Sequence, residues 1–351
     1  METSSSTKKY KDFHKEIFSF LINYKNSHIT KENGHYRGKT HDCLLPERYE
    51  KEAIPAMIYQ GIGSIIEDIQ ESIYKYKPHK FAYTHVASSQ TACLNLFIPV
   101  LESAKADDIL KSSMAMPSDF DYIERKELFH GYRFEFWDDT DEAKNGLLRD
   151  HSRLAGTDSD VAIAYRNTSG ELCLWLIEHK LTEREFTACG GYKSRNNTSE
   201  NKKLCTNCNL TDVLTNHQIC YYDRESHYNY WEIMSTKNAQ NLFSGVFNNK
   251  GCPFLGGMNQ LWRNQMLALA LENQVPNKYK EVYFSVVHHP ANHFLNKSIN
   301  EYKQLVNNSP KFSSFTTEKI INAASIDKSL ANWIAWYKEV YYGQKNQIKP
   351  I

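Results

Sequence analysis

Two runs decide the fold: Asp160–Arg166 (DVAIAYR) and Leu172–Leu181 (LCLWLIEHKL), joined by Asn167–Gly170 (NTSG). β-Branched, aromatic and aliphatic residues fill both runs, and the Asn, Ser and Gly between them have hairpin-loop composition. The second run stops being apolar at Glu178-His179-Lys180. Charges at the end of a buried strand are costly unless they leave the core for a purpose. In an antiparallel hairpin, Asp160 and Glu178 come to the same end of adjacent strands, and period-two alternation puts Glu178 and Lys180 on one face. Three charges therefore converge.

Two carboxylates a few ångströms apart repel unless a cation sits between them, and hard oxygen ligands with open positions suit Mg²⁺ or Mn²⁺. Such a pair, with a lysine beside it, can activate a metal-bound water and stabilise charge on a leaving oxygen. Hydrolysis of nucleic acid is the natural use of that chemistry.

Outward from the hairpin, Tyr132–Trp137 (YRFEFW) reads as a further strand. Ser88-Ser89-Gln90 ahead of Ala92, Leu94, Leu96, Phe97 and Val100 reads as a capped, buried helix, with Pro99 as a potential kink. Downstream, Asn259–Glu272 (NQLWRNQMLALALE) predicts a strong helix and Glu281–His288 (EVYFSVVH) a buried strand. Amphipathic spacing predicts helices over Lys8–Tyr24 and Ile54–Tyr76, the latter ended by Pro78, with loop over Ser27–Arg48 between them. ANWIAWYKEVYYG near the C-terminus reads as a closing helix. The expected division is an N-terminal helical region 1–84, a first core segment 85–188, a Cys-rich insert 189–255, a second core segment 256–295 and a C-terminal helical region 296–351.

Composition narrows the class further. Of 351 residues, 41% are hydrophobic, enough for one large domain or two ordinary ones. Forty-two Lys and Arg against 41 Asp and Glu leave a formal charge of +1, so nucleic-acid binding requires a local patch rather than bulk charge. No run of about 18 apolar residues occurs, and METSSSTKKY at the N-terminus has no apolar stretch behind it. The expectation is a soluble, cytoplasmic protein.

At the acidic hairpin the chain resembles the PD-(D/E)XK nuclease superfamily, the restriction-endonuclease-like fold. DSDVAIAY places Asp160 in the aspartate position and LWLIEHK places Glu178 and Lys180 in the acid-x-Lys position, although Ser159 stands where the motif has Pro. The order helix, three-stranded meander, helix, strand also matches, over roughly residues 85–290. The resemblance implies an α/β fold and a metal-dependent nuclease in restriction or defence against foreign DNA, with Asp160 and Glu178 holding Mg²⁺ or Mn²⁺. It implies DNA as the partner, and a second copy of the chain is a candidate partner. In many members a carboxylate or amide from the first core helix or first strand approaches the metal. Candidates here are Glu67, Glu71, Gln90 and, preferred as an inward charge within a strand, Glu135. Gln260, Arg263 and Asn264 share approximately one helix face and are candidates for contacting a phosphate or a ligand.

Four of the eight cysteines, Cys189, Cys205, Cys208 and Cys220, fall close together, with His217 nearby and Cys252 as an outlier. Sparse cysteines in a reducing compartment point to a metal rather than disulfides. Cys205-x2-Cys208 makes a chelating turn, and four thiolates suit structural Zn²⁺ or a [4Fe-4S] cluster. Around them lie Tyr192, Tyr221, Tyr222, Tyr228, Tyr230 and Trp231, with Lys193, Arg195, Lys202, Lys203 and Arg224. That mixture serves either a nucleic-acid groove or the core of a small subdomain. His288, His289 and His293 offer a second metal site or strand-end hydrogen bonds. Two other readings stay open: a non-catalytic nucleic-acid-binding module, and an iron–sulfur or redox sensor built on the cysteines.

Overall fold

The computed structural model describes residues 4–343 apart from 53, 63–64, 70–82, 139–144, 153–155 and 246–249. Its centre is a six-stranded mixed sheet: β1 (Phe120–Ile123), β2 (Tyr132–Phe136), β3 (Ser159–Asn167), β4 (Leu172–Lys180), β5 (Val282–His288) and β6 (Phe312–Thr316). β1 and β2 both pair antiparallel with β3, and β3 pairs antiparallel with β4. β5 then lies parallel to β4, and β6 parallel to β5. The β3–β4 loop is built by Asn167, whose Oδ1 accepts the Ser169 and Glu171 N–H groups at 3.1 and 2.8 Å, while Gly170 supplies the positive φ of 79°.

Paired on both edges and covered on both faces, β4 is apolar almost throughout, as a central strand must be. Its alternation sorts the core into two halves. Cys173, Trp175 and Ile177, with Val161, Ile163 and Tyr165 of β3, pack against the helix α2 (Ser89–Leu101). Leu174 and Leu176, with Ala162 and Ala164, pack against α4 (Asn259–Glu272) on the other face. The sheet is thus sandwiched between helices. Ser88 caps α2 by accepting the Thr91 N–H, and residues 91–101 are buried all round.

The elements expected at Tyr132, Asp160, Leu172, Asn259 and Glu281 occur within a residue or two of those positions. α1 (Ser4–Tyr24) starts four residues before the expected helix, and α7 (Ala331–Tyr342) stops where Gly343 takes φ 65°. Helix α3 (Ala106–Ser113) is not anticipated, α5 (Asn296–Leu305) and α6 (Thr317–Ala323) fall in the C-terminal region expected to be helical, and several short helices, Ser199–Asn207 among them, run through the Cys-rich segment. The C-terminal region is not purely helical, because β6 extends the sheet. Nor is the N-terminal one: a short hairpin pairs Gly34–Tyr36 with Lys39–His41 inside the stretch expected to be loop.

The expected Ile54–Tyr76 helix is a correction. Its described part is turn from Ile54 to a 3₁₀ segment at Gln60–Ile62, with α-helix only over 65–69; residues 70–82, including Glu71 and Pro78, lie outside the described residues. The cause is a side chain far along the chain. Asn95, fully buried in α2, accepts the Tyr59 N–H at 2.9 Å and donates to the Met57 carbonyl and the Tyr341 hydroxyl, both at 2.8 Å. These bonds take up backbone groups a helix would use for itself.

Asn95 thereby ties the 57–59 turn and α7 to α2. Asn95→Ala leaves the Tyr59 N–H and Met57 carbonyl buried without partners, and is expected to lower unfolding free energy by about 2 to 4 kcal/mol in urea denaturation. A loss under about 1 kcal/mol would show that water replaces the amide.

Candidate active site

Continuing the Val161–Ile177 register by one residue sets Asp160 opposite Glu178. On the other edge of β3, Phe134 pairs with Val161 and Phe136 with Ser159, which leaves Glu135 opposite Asp160. Glu135, Asp160 and Glu178 therefore form one row across three adjacent strands. Two positions along β4, Lys180 follows Glu178 on the face turned toward α4.

Glu178 is held by three donors. Its Oε1 accepts Lys180 Nζ at 2.8 Å and Gln260 Nε2 at 2.7 Å, and its Oε2 accepts Asn264 Nδ2 at 2.8 Å. Gln260 and Asn264 stand one turn apart on α4, the spacing that aims both at one point. Arg263, from the same helix, turns elsewhere: its Nε reaches Thr157 Oγ1 at 2.9 Å and Tyr230 OH at 3.0 Å, and its Nη2 reaches Asp150 at 3.2 Å. Tyr230 and Thr157 both donate to Asp150 as well. Arg263 is therefore committed to a buried ion pair and does not join Gln260 and Asn264.

Asp160 Oδ2 accepts the His179 N–H at 2.6 Å. Burial and the neighbouring Glu178 and Glu135 push Asp160 well above the usual carboxylate range, against the opposing pull of Lys180 and the His179 N–H. Burial alone would lower Lys180, but Glu178, Glu183 and Asp160 more than reverse it, so its ammonium is held above the ordinary lysine value. The surrounding acids thus keep Lys180 charged at neutral pH.

Glu135, only 4% exposed, accepts Gln90 Nε2 at 3.0 Å. Its φ of 49° is unusual for a glutamate inside a strand. Alternation fails there: Phe134 joins the α2 half of the core, whereas Phe136 joins the α4 half. Strain of this kind costs of order 1–3 kcal/mol and gathers at functional sites.

Glu183 belongs to the cluster and carries no motif. Its Oε2 accepts the Leu181 and Thr182 N–H groups at 2.8 and 2.9 Å, and Ser89 at the start of α2 adds a hydrogen bond. Burial would raise it, but Lys180 and these donors outweigh burial and leave its carboxyl below its ordinary value. Its sequence signal is an acid three residues past the acid-x-Lys triplet.

Other candidates lie apart. Glu67 is exposed, and Glu71 is outside the described residues. His288 Nδ1 contacts the His289 carbonyl, while His289 takes the Ala291 N–H on Nδ1 and the Tyr341 carbonyl on Nε2. Burial lowers His289 to about 4, so these rings are neutral, strand-end structure. In the Cys-rich segment, Tyr230 and Trp231 are buried against Trp262 of α4, and Tyr222 stacks on Tyr228. Those aromatics build core rather than an open stacking surface. Lys193, Arg195 and Lys203 are exposed and Lys202 is half-buried.

Among the described residues, no three His, Cys, Asp or Glu side chains stand close enough together to hold a metal ion. The donor set at β3 and β4 is nonetheless all oxygen, and Gln260 Oε1 and Asn264 Oδ1 are buried acceptors without a partner among the described residues. Mg²⁺ asks for one or two carboxylates plus water and substrate phosphates rather than a full protein cage, so the residues present fit it.

Residues 9–342 match the model of a family described as restriction endonuclease associating with ARP, REase-ARP. The chain belongs to this family. No curated protein and no solved structure is a match to it. Membership places the REase-ARP chain among restriction-endonuclease-like proteins, whose chemistry is that of nucleases, and its mixed α/β architecture is compatible with that class. Among the described residues no helix is long and apolar enough to cross a membrane.

The raised carboxyl of Asp160 has a consequence for stability. A carboxyl whose folded-state pKa lies above its unfolded value favours the fold at low pH, and that contribution is lost as pH rises through the folded pKa. Asp160→Asn is therefore expected to unfold at higher denaturant than the parent at neutral pH with chelator present. The gap should grow by at most about 1.4 kcal/mol per pH unit above the ordinary carboxylate range and shrink in acid. A gap independent of pH would show that Asp160 is not destabilised by its neighbours.

Proposed function

We propose that this chain is a metal-dependent nuclease hydrolysing phosphodiester bonds of DNA, in restriction or defence against foreign DNA. The observation that carries the reading is the row Glu135, Asp160 and Glu178 with Lys180 beside it. Carboxylates set side by side and largely out of water repel one another, and a divalent cation relieves that repulsion. Asp160 and Glu178 would hold Mg²⁺ or Mn²⁺, which supplies a polarised phosphate and an activated water when bound.

The chain's own residues have distinct tasks. Gln260 and Asn264 fix the plane of the Glu178 carboxylate through its two oxygens, and Gln90 orients Glu135. Lys180 carries its proton on Nζ at neutral pH, so it acts as a donor and counter-charge to the phosphate rather than as an acceptor of the water's proton. Glu183 keeps that ammonium charged and in place. Lys193, Arg195, Lys203 and the half-buried Lys202 are proposed to bind backbone phosphates, which positions substrate without reading bases.

The direct test is incubation of purified protein with linear, supercoiled and single-stranded DNA, with and without Mg²⁺ or Mn²⁺. Asp160→Asn, Glu178→Gln and Lys180→Met are each expected to lower cleavage at least about 100-fold. Asn264→Leu, which loosens Glu178 without removing it, should cost about 10- to 100-fold. Cleavage by Asp160→Asn or Glu178→Gln at the parent rate would remove the carboxylate pair from the mechanism. Binding without cleavage under every condition would leave a nucleic-acid-binding protein instead.

The phosphate contacts are checked separately, by DNA affinity in Ca²⁺ across a salt series. Removing all four cations should flatten the slope of log affinity against log salt by roughly 0.7 to 0.9 per lost contact, equally for all sequences. An unchanged slope would place the DNA path elsewhere on the protein.

A further inference from the structure

The hairpin that pairs Gly34–Tyr36 with Lys39–His41 projects from the body of the protein. Residues 35–40 are all exposed, Tyr36 at 57%, while Gly34 at the root is buried. A two-stranded hairpin is marginal alone, so its shape is held from the root. Gly34 N–H donates to the Leu44 carbonyl at 2.8 Å, and a Cβ on Gly34 would overlap the Leu45 carbonyl. Lys25, fully buried just past α1, donates from Nζ to the Glu32 carbonyl and to Asn33 Oδ1, both at 2.8 Å, and so clamps the chain as it enters the hairpin.

The tip departs from what stability alone favours. Arg37 and Gly38 form a two-residue loop with φ of 50° and 74°. Loops of that kind favour Asn-Gly or Asp-Gly, because an ordinary side chain takes positive φ only at a cost. Arg37 bears that cost, and its guanidinium lies over the Tyr36 ring, 5.1 Å from the centroid. Lys39 stands opposite Tyr36 in the register. From Asn33 to His41 the chain carries no acid; Glu32 and Asp42 flank the root, and Glu32 is taken by Arg48 at 2.7 Å. The cleft of about 730 Å³ at the root is a poor seat for a phosphate, since Glu32 and Glu47 line it. The cationic end is the tip.

The hairpin is mounted on the carboxylate site. Leu45 N–H donates to the Thr84 carbonyl at 2.8 Å and Val86 N–H to the Cys43 carbonyl at 3.0 Å, with Leu44 bridged antiparallel to His85. The 84–86 stretch runs directly into α2, whose first turn sets Ser89 on Glu183 and Gln90 on Glu135. His85 and Gln90 are joined by at most about 18 Å of chain, the rise of about five base pairs. We propose that this hairpin enters the major groove of DNA near the cut and reads bases there, with Arg37 donating to N7 and O6 of a guanine. That groove is about 12 Å wide and 8.5 Å deep and admits a two-stranded ribbon, and three residues of strand carry the tip about 10 Å from its root. Stacking on Tyr36 holds the guanidinium ready for a two-pronged contact. The inference rests on DNA as the substrate of the carboxylate row, and it supplies the base contacts that phosphate-binding lysines cannot.

The test selects bound molecules from a random-sequence duplex DNA pool in Ca²⁺, using the full chain as parent, Arg37→Ala and Arg37→Gly. The parent is expected to enrich a motif containing a guanine. Both variants should lose the preference at that one position by about 5- to 150-fold, while binding the unselected pool within a few-fold of the parent. Arg37→Gly removes the backbone strain and should melt no lower than the parent, which separates lost reading from lost folding. Methylation of that guanine at N7, which lies in the major groove, should weaken the parent and leave Arg37→Gly unaffected. Selected DNA is then incubated with Mg²⁺ or Mn²⁺, and cuts are expected within about one helical turn, 10 base pairs, of the motif. A motif bound but never cut would remove the nuclease reading and leave the hairpin as a reader. No selected motif, a motif unchanged in Arg37→Gly, or binding indifferent to N7 methylation would each overturn the inference, whether or not the protein cuts DNA.

Discussion

Acids set side by side in a row, Glu135 and Glu178 buried and Asp160 half-buried between them, are the constraint around which the molecule is arranged. Glu135, Asp160 and Glu178 stand on adjacent strands because strand register leaves them nowhere else, and apolar packing returns nothing for dehydrating a carboxylate. The surroundings offset the cost piecemeal. Lys180 supplies a positive charge, Gln260 and Asn264 supply amide donors, and Gln90 and the His179 N–H meet the remaining acids. α4 is long and almost wholly buried, yet it turns two amides inward at the one level where Glu178 needs them. α2 likewise opens with Ser89 and Gln90, polar residues at the end of an otherwise apolar cylinder, facing Glu183 and Glu135.

The readable parts of this arrangement are those with a simple period. The β3–β4 hairpin and α4 can be located from sequence because alternation and helical spacing are strong there, and Asp160, Glu178 and Lys180 follow from the hairpin alone. Residues 54–62 mislead because their isoleucines keep helical spacing while Asn95, distant in sequence, captures the backbone. Glu183 shows in the sequence only as an acid past the triplet, because its place depends on the chain turning after Leu181, so that its own neighbours' N–H groups come within reach. Gln260 and Asn264 can be nominated from helical spacing; that Arg263 between them leaves for Asp150 is decided by Tyr230 and Thr157, far away along the chain.

Within the Cys-rich segment, Cys205 sits inside a helix and Cys208 just beyond its end. The return of the chain at Gly251–Leu255 joins Cys252 to Cys205 and Gly251 to Cys208 by backbone hydrogen bonds, a contact between positions dozens of residues apart. The same return delivers the chain to the start of α4, so the segment is stitched to the very helix that presents amides to Glu178.

The left-handed backbone at Glu135 carries a further meaning. A glutamate there works against its own main chain and stands beside Asp160, so a change to Gly or Asn relaxes the backbone. Stability and chemistry pull that position in opposite directions. Copies of this gene released from the need to act should therefore lose the acid at 135 early, while Leu174, Trp175 and Leu176 persist as long as the protein still folds. On the proposed nuclease reading, the state of that one codon is a readout of whether a lineage still uses its site.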